Sequence, residues 1–218
     1  MHNDRQKFRR VGGVITDPAE LRQLLGEVNP RAATKERVAL HPRDRDWIAA
    51  TPFIALSTSD AEGNCDTSPK GDPPGFVKVL DDTTIAIPER PGNRRADGYL
   101  NILSNPHVGL LFMIPGRRET LRINGRARLI RDAPYFDEMV VKGHRPILAI
   151  EVDIEQIFFH CAKAFIRSHL WEPEQWPVDN LPSPARLVKE VQPSVTESVE
   201  ELERYYLPEN YNTKLYRE

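Results

Sequence analysis

The central part of the chain alternates hydrophobic and polar positions with a period of two residues. In "TLRINGRARLIRD", the apolar positions alternate with arginine and asparagine, which predicts a strand with one apolar face. Further strands are predicted in "FIALSTS", "CDTSP", "GFVKVLD", "TTIAIPE", "HVGLLFMIP" and "ILAIEVDIEQIFFH". Six or seven strands at hairpin spacing, with one helix among them, favour a mainly β protein, an antiparallel β-barrel with flanking helices.

Helical patterns flank and interrupt these strands. The first helices are predicted in "TDPAELRQLLG", "AATKERVAL" and "DRDWIAA". A helix after "GNRR" is expected to carry Tyr99, Leu100 and Leu103 inward. Later helices are predicted in "APYFDEMVV" and "CAKAFIRSHLW", and near 183–191 and 195–207. We expect a helical extension over residues 1–45, the barrel over 46–171, and an arm with helices over 172–218.

Composition excludes several classes of function. The 218 residues include 30 Lys+Arg and 32 Asp+Glu, a formal net charge of −2, without the basic excess of nucleic-acid-binding proteins. The longest apolar runs are too short to span a bilayer, and no apolar segment follows the charged start of the chain. The two cysteines, Cys65 and Cys161, and the six histidines show no metal-ligand spacing. We expect a cytoplasmic protein without a metal, nucleic-acid or membrane partner.

The stretch "PERPGNRRADGYLNILSNP" places two arginines where a helix is expected to begin. Asn93 can cap that helix, and the backbone N–H groups after it would be unpaired. Arg94 and Arg95 are unfavourable at this end of the helix dipole unless an anion lies among them. A phosphate would be favoured by the N–H groups, the dipole and both guanidinium groups. The alternative is that both arginines extend into solvent at small cost.

Two further basic patterns leave functional and structural interpretations open. Lys70 precedes a Gly-Asp-Pro-Pro turn, and Lys78 interrupts an apolar strand. A lysine in such a strand can face solvent or a ligand cleft. In "CAKAFIRSHLW", Lys163 and Arg167 share a helical face with Trp171. This group can bind a planar anion, or the cations can be solvated while the tryptophan packs in the core.

Three phrases resemble the FMN-binding split-barrel family related to pyridoxamine 5'-phosphate oxidase. They are "TIAIPERPGNRR", "NPHVGLLFMIPGRRETLRINGRARL" and "FHCAKAFIRSHLWEP", and they are most similar to the subgroup of FMN-dependent enzymes whose substrate is undefined. The resemblance covers residues 45–175. It implies a six-stranded antiparallel split barrel of the FMN-binding type, which forms a homodimer with each FMN in a cleft between two subunits.

The resemblance also implies which residues contact the cofactor. Arg94 and Arg95 match the basic pair that binds the FMN phosphate in the family, with Asn93 beside them. The remaining implied contacts are Ile87 and Pro88 along the flavin, Lys78 on the preceding strand, Thr120 where the oxidases have a flavin-facing glutamine, and Lys163, Arg167 and Trp171 from the second subunit. Candidates, by position only, for a positive charge near the pyrimidine end of the flavin are Lys70, Lys78 and Arg122.

The chain departs from the oxidases at two places. Asp72-Pro73 stands where they have an arginine, and "LPENYNTKLYRE" lacks their arginine/histidine motif for pyridoxal phosphate. The resemblance therefore supports FMN binding more than oxidation of pyridoxamine phosphate. One hypothesis is an FMN-dependent oxidoreductase of a small organic substrate, for which the sequence identifies no catalytic residue. The other is a non-catalytic protein that binds flavin, deazaflavin or haem for storage, sensing or stress response.

Overall fold

The computed structural model describes residues 13–216, and contacts divide the chain into two units, Met1–Lys35 and Glu36–Glu218. The described part of the first unit contains two helices, α1 (Pro18–Leu25) and α2 (Pro30–Ala33). Asp17 caps α1 by accepting a hydrogen bond from the N–H of Ala19 at 2.9 Å, and Gly26 ends it at φ 75°. This first helix is confirmed, whereas the prediction for the charged start of the chain lies outside the described residues.

Within the described residues, the second unit contains one antiparallel sheet of seven strands. The strands are β1 (Phe53–Ser59), β2 (Cys65–Gly71), β3 (Lys78–Val79), β4 (Thr84–Pro88), β5 (His107–Met113), β6 (Thr120–Ile130) and β7 (Ala149–His160). Their order across the sheet is β2-β1-β5-β6-β7-β4-β3. The mainly β class and the strand pattern are confirmed. The sheet is open, with β2 and β3 at its ends, so the six-stranded barrel stays a prediction.

Short helices connect and follow the strands. The α-helices are α3 (Pro42–Ala50), α4 (Asp97–Ser104), α5 (Lys163–Arg167), α6 (Pro184–Val191), α7 (Val199–Tyr206) and α8 (Pro208–Tyr211). A 3₁₀-helix of six residues lies at Pro134–Met139, and single 3₁₀ turns lie at Pro173–Gln175, Val178–Asn180 and Asn212–Lys214. No helix among residues 13–216 is long and apolar enough to cross a membrane.

The core lies between one face of the sheet and helices α3 and α4. It consists of strand residues such as Ile54, Phe112 and Ile123, which are fully buried, together with Ile48 from α3. Trp47 packs edge-on against Phe159 with ring centroids 5.2 Å apart. The continuous apolar run of β5 predicts a strand covered on both faces. Alternate residues are buried and the others are partly or fully exposed, so only one face is fully covered.

The predicted inward face of α4 is only partly correct. Tyr99 packs against the core, but Leu100 and Leu103 are 60% and 73% exposed, and Ile102 is buried instead. The helix is apolar around much of its circumference, so its period alone does not select the buried face.

The helix predicted over residues 32–40 is wrong beyond α2. Arg37 instead exchanges two backbone hydrogen bonds with Ile157, at 3.1 and 2.8 Å, and its guanidinium pairs with the fully buried Asp44. The hydrogen bond that the Arg37 guanidinium donates to this carboxylate raises the pKa of Arg37. Pairing with β7 and a buried carboxylate has overridden local helix propensity.

A β-bulge interrupts the pairing of the two longest strands. Asn124 pairs with Gln156 and Gly125 pairs with Ile154, so Glu155 has no partner in β6. Position 125 requires glycine because a Cβ there would lie 2.0 Å from the carbonyl oxygen of Asp153.

Candidate functional site

The loop between β4 and α4, residues 89–96, brings the arginine pair to the surface. Arg94 and Ala96 have φ values of 57° and 61°, in the left-handed region that residues with a Cβ rarely occupy. The prediction that Asn93 caps α4 is wrong: Ala96 is the N-cap, without a side-chain hydrogen bond. Asn93 Oδ1 instead accepts a hydrogen bond from the N–H of Arg95 at 3.1 Å. This short-range bond stabilises the turn that carries both arginines.

A cavity of about 510 Å³ opens beside this loop. It is bounded by β2, by the end of β4 with the loop, and by the start of α4. Five of the residues predicted as ligand contacts line it: Lys70, Pro88, Asn93, Arg94 and Arg95. The structure therefore brings the arginine pair and the lysine of β2 to one cavity, although they are more than 20 residues apart in the sequence.

Lys70 has a defined position inside this cavity. Its Nζ donates to Glu89 Oε2 at 2.9 Å and to Tyr99 Oη at 2.8 Å, and the side chains of Lys70 and Glu89 are only 18% and 22% exposed. Glu89 was not predicted as a site residue, and Tyr99 was predicted only to pack inward. Their arrangement holds an ammonium group at the cavity wall.

The arginine pair lies in a more open position. Arg95 Nε donates to Asp97 Oδ2 at 2.7 Å while its side chain is 73% exposed, and this hydrogen bond raises the pKa of Arg95. Arg94 lines the cavity beside it. The carboxylates of Asp66, Glu89 and Asp97 also line the cavity, so an anion bound by Arg95 must compete with Asp97.

The other predicted contacts lie outside this cavity in the single chain. Lys78 pairs with Glu138 and lines a separate cavity of about 190 Å³. Ile87 is buried in the core opposite Ile150, and Thr120 is buried opposite His160. Arg122 lies 4.2 Å from the ring centroid of Phe158 and donates to Gln156 Oε1 at 3.1 Å.

The predicted contacts on and after α5 are also separate. Lys163 and Arg167 are both exposed on this short helix. Trp171 is partly buried, and its Nε1–H donates to the carbonyl of Arg117 at 2.6 Å. No described cavity contains any of the three.

A second cluster, which the sequence did not predict, is centred on Arg90 of the same loop. The Arg90 guanidinium contacts the carboxylate of Asp72 at 2.5 Å, with side-chain exposures of 13% and 1%, and donates to the carbonyl of Met139 at 2.7 Å. Tyr216 donates its hydroxyl to the same carboxylate from 144 positions along the chain. Burial and this hydrogen bond raise the pKa of Tyr216 to about 12. No sequence signal connects these distant residues.

Residues 13–216 contain no group of three or more His, Cys, Asp or Glu side chains placed to hold a metal ion. The cavity instead offers cationic donors, which suit a phosphate or carboxylate.

A protein-family model matches the central part of the chain. The family model described as pyridoxamine 5'-phosphate oxidase matches residues 40–161, more than half of the chain. This region contains the whole sheet, the loop with its arginine pair and α4. No curated protein matches the chain.

Solved structures that match part of this chain have low sequence identity. HupZ of Group A Streptococcus is 20% identical over 55% of this chain and 93% of its own, with a TM-score of 0.45. An FMN-binding protein of Syntrophomonas wolfei is 15% identical over 55% and 89%, with a TM-score of 0.42. HutZ, the haem storage protein of Vibrio cholerae, is 16% identical over 55% and 93%, with a TM-score of 0.41.

Proposed function

Since the chain belongs to the pyridoxamine 5'-phosphate oxidase family, we propose that it binds FMN and acts as an FMN-dependent oxidoreductase on a small organic substrate. The observation that carries the proposal is the convergence of Arg94, Arg95 and Lys70 on one cavity. Its volume of about 510 Å³ lies within the usual range for small-molecule and cofactor sites.

In this proposal, the loop binds the cofactor phosphate. Arg94 and Arg95 supply guanidinium donors that can form charge-assisted hydrogen bonds with a phosphate dianion. Asn93 maintains the turn through its bond to the N–H of Arg95. Without a ligand, the exposed ion pair with Asp97 keeps Arg95 near the loop. A bound phosphate would draw Arg95 away from Asp97.

The residues in the cavity wall would orient the cofactor. Pro88 is buried at the end of β4, where it offers a rigid surface without an N–H donor. Lys70, fixed by Glu89 and Tyr99, places a positive charge beside that surface. Bound FMN would supply hydride and electron transfer, while these residues supply binding, orientation and electrostatics.

The predicted contacts on and after α5 would come from a second copy of the chain. We infer a homodimer in which Lys163, Arg167 and Trp171 of one subunit approach the cofactor of the other, and in which the sheet has the family's six-stranded split-barrel form. The exposure of Leu100 and Leu103 on α4, beside the loop, supports a covering partner. Lys78, Thr120 and Arg122 stay proposed flavin contacts within that assembly, as does Ile87. The division at residues 45 and 171 is part of the same proposal.

A second candidate function is non-catalytic binding of a flavin, a deazaflavin or haem. The observation that favours it is the nature of the cavity, whose recognisable donors would bind a phosphate or carboxylate rather than a particular ring. A deazaflavin also carries a phosphate, and haem carries carboxylates.

The absorption spectrum of the purified protein tests both candidates. We expect a yellow protein with a flavin spectrum that releases FMN on denaturation. A colourless protein that takes up no FMN in a titration would contradict the FMN proposal, and a Soret band or a deazaflavin spectrum would identify another cofactor. Rapid mixing with NADPH, followed by a panel of acceptors, then distinguishes an enzyme from a binding protein.

A further inference from the structure

A second cavity, of about 710 Å³, lies on the other side of the arginine loop. Residues 91–94 form one wall, and these four residues also line the first cavity. The C-terminal part of the chain forms the other wall through Tyr205, Tyr211, Thr213, Lys214 and Leu215. Arg94 therefore borders both cavities, and a ligand bound at the loop has space beyond its phosphate.

The C-terminal wall presents aromatic rings in fixed positions. Tyr205, Tyr206 and Tyr211 form a cluster with ring centroids 5.1 to 5.7 Å apart. Despite this packing, Tyr205 and Tyr211 stay 43% and 41% exposed, and both line the cavity. Partly exposed rings held by their neighbours form a surface on which a planar group can stack.

The same wall also carries a positive charge. The Lys214 ammonium lies 3.8 Å from the ring centroid of Tyr205, a cation–π contact. Lys214 and Arg94 line the cavity together with the side chain of Thr213. The Thr213 hydroxyl donates to the carbonyl of Asn210 at 2.7 Å, so the two cationic side chains are the donors suited to a phosphate.

The position of this wall depends on the end of the described chain. The Tyr216 hydroxyl donates to the buried carboxylate of Asp72, and its ring stacks near His144 at a centroid distance of 6.0 Å. Lys214 and Leu215 directly precede this anchored residue. The second cavity is therefore enclosed by a segment that is fixed to the rest of the unit at Tyr216.

We propose that the second cavity binds an adenosine 5'-phosphate group, with the adenine on the tyrosine rings and the phosphate at Lys214 and Arg94. A planar uncharged ring with an attached phosphate matches both features of the walls. An acidic peptide would use the lysine but would leave the tyrosine rings without a stacking partner. The inference that this ligand extends into or acts beside the first cavity rests on the proposed function. Binding of adenosine phosphate in the second cavity does not.

This group can come from two kinds of dinucleotide or from a free nucleotide. In a flavin dinucleotide, the adenosine part extends past the phosphate that the loop would bind, so one molecule would occupy both cavities. In a nicotinamide dinucleotide, it would anchor the electron donor beside the flavin cavity. Both sources require the same contacts with the ring and the phosphate.

Calorimetric titration with AMP and with ribose 5-phosphate tests the proposed contacts. AMP should bind more tightly than ribose 5-phosphate, which lacks the base. Tyr211→Leu should weaken AMP binding about fivefold or more because a stacking partner is lost, whereas Tyr211→Phe should retain the affinity. Lys214→Met should weaken both ligands, and Arg186→Met, which removes an exposed charge from α6 outside both cavities, should weaken neither.

Titrations with FAD, FMN and NADPH distinguish the sources. If FAD binds more tightly than FMN, and Tyr211→Leu removes this difference, a flavin dinucleotide is supported. If NADPH binds to the FMN-loaded protein and Tyr211→Leu weakens this binding, a nicotinamide dinucleotide is supported. If Tyr211→Leu weakens the binding of AMP alone, a free nucleotide is supported. If no adenosine ligand binds, or none responds to Tyr211→Leu and Lys214→Met, the inference is overturned. FMN affinity that depends on Arg94 and Arg95 would leave the proposed function standing in that case.

Discussion

Arg90 and Arg95 lie five positions apart in the same loop but in opposite environments. The Arg90 side chain is 13% exposed and bonds to the carboxylate of Asp72 and the carbonyl of Met139. The Arg95 side chain is 73% exposed and pairs with Asp97 at the surface. Burial therefore separates an arginine that maintains the fold from an arginine that can exchange its partner for a ligand.

The environments of the partner carboxylates show why the two roles differ. Asp72 is 1% exposed and has Arg90 and Tyr216 as partners, so loss of the arginine would leave a buried charge without its cation. Asp97 is 42% exposed, and water can solvate it when Arg95 moves to a phosphate. The first ion pair should control stability and the second should control binding.

Arg90→Met should produce the largest effect on stability. Removal of one partner from a buried ion pair costs about 3–5 kcal/mol, so the free energy of unfolding should fall by about 3 kcal/mol in urea denaturation. Adding Asp72→Asn to this variant should recover part of the loss because the buried negative charge is removed. An unchanged free energy of unfolding in Arg90→Met would show that the ion pair of Arg90 and Asp72 does not stabilise the fold.

Replacement of the exposed pair should affect binding instead. Arg94→Ala with Arg95→Ala should weaken FMN binding at least about tenfold, because charge-assisted hydrogen bonds to the phosphate are lost. The unfolding midpoint without FMN should not change measurably. Fluorescence titration with FMN measures this effect, with Arg186→Ala as the control for removal of an exposed positive charge. Equal FMN affinity in the double variant would refute the phosphate assignment.

Tyr216→Phe tests the third member of the buried cluster. The substitution removes the hydroxyl that donates to Asp72 and should lower the free energy of unfolding by about 1.5 kcal/mol, the lower value for a hydrogen bond to a charged group. Urea denaturation at neutral pH measures the loss. An unchanged unfolding midpoint would show that the C-terminal segment is not fixed through this bond.

The pH dependence of the same pair of proteins sharpens this test. The pKa of Tyr216 is raised from 10.0 to about 12 in the folded protein, so the folded state holds this proton more tightly than the unfolded state. Its contribution is complete below pH 10 and is lost as the pH rises towards 12. The stability difference between wild type and Tyr216→Phe should therefore shrink over that interval. A stability difference that grows as the pH rises over this interval would contradict the raised pKa of Tyr216.

The smallest expected effect concerns Asp97. Asp97→Asn removes the carboxylate that competes with phosphate for Arg95, and should strengthen FMN binding by about twofold at low salt. The gain should decrease as salt is added because exposed charges are screened. FMN titrations at two salt concentrations measure both effects. Weaker FMN binding in this variant would indicate that Asp97 positions Arg95 rather than competing for it.

Much of the strand pattern was predictable because strands such as β1 and β6 carry their own two-residue period, and others are short apolar runs between turn residues. The sheet confirmed those predictions, from "FIALSTS" in β1 to "ILAIEVDIEQIFFH" in β7. The helix predicted over 32–40 failed because Arg37 obtains its backbone partners from Ile157, far away in the sequence. The buried face of α4 was also beyond a local pattern, since apolar residues cover several of its faces.

The candidate site was predictable only in part for the same physical reason. Arg94 and Arg95 were apparent from their position before a helix, without any long-range information. The role of Arg90 depends on Asp72 and on Tyr216, which lie in distant segments. The contacts proposed across a dimer, including Lys163 and Arg167, depend on a second chain and stay predictions.

The bulge opposite Gly125 makes Glu155 a spare residue within β7. Before the bulge, the buried residues Ile150, Val152 and Ile154 have even numbers. After it, the buried residue Ile157 has an odd number. Loss of the codon for Glu155 would restore regular alternation and leave every apolar residue on its present face. Loss of a codon elsewhere in the strand would turn part of it outward. Among related genes, we therefore expect glycine at position 125 where the extra residue at 155 is present, and other residues at 125 where it is missing.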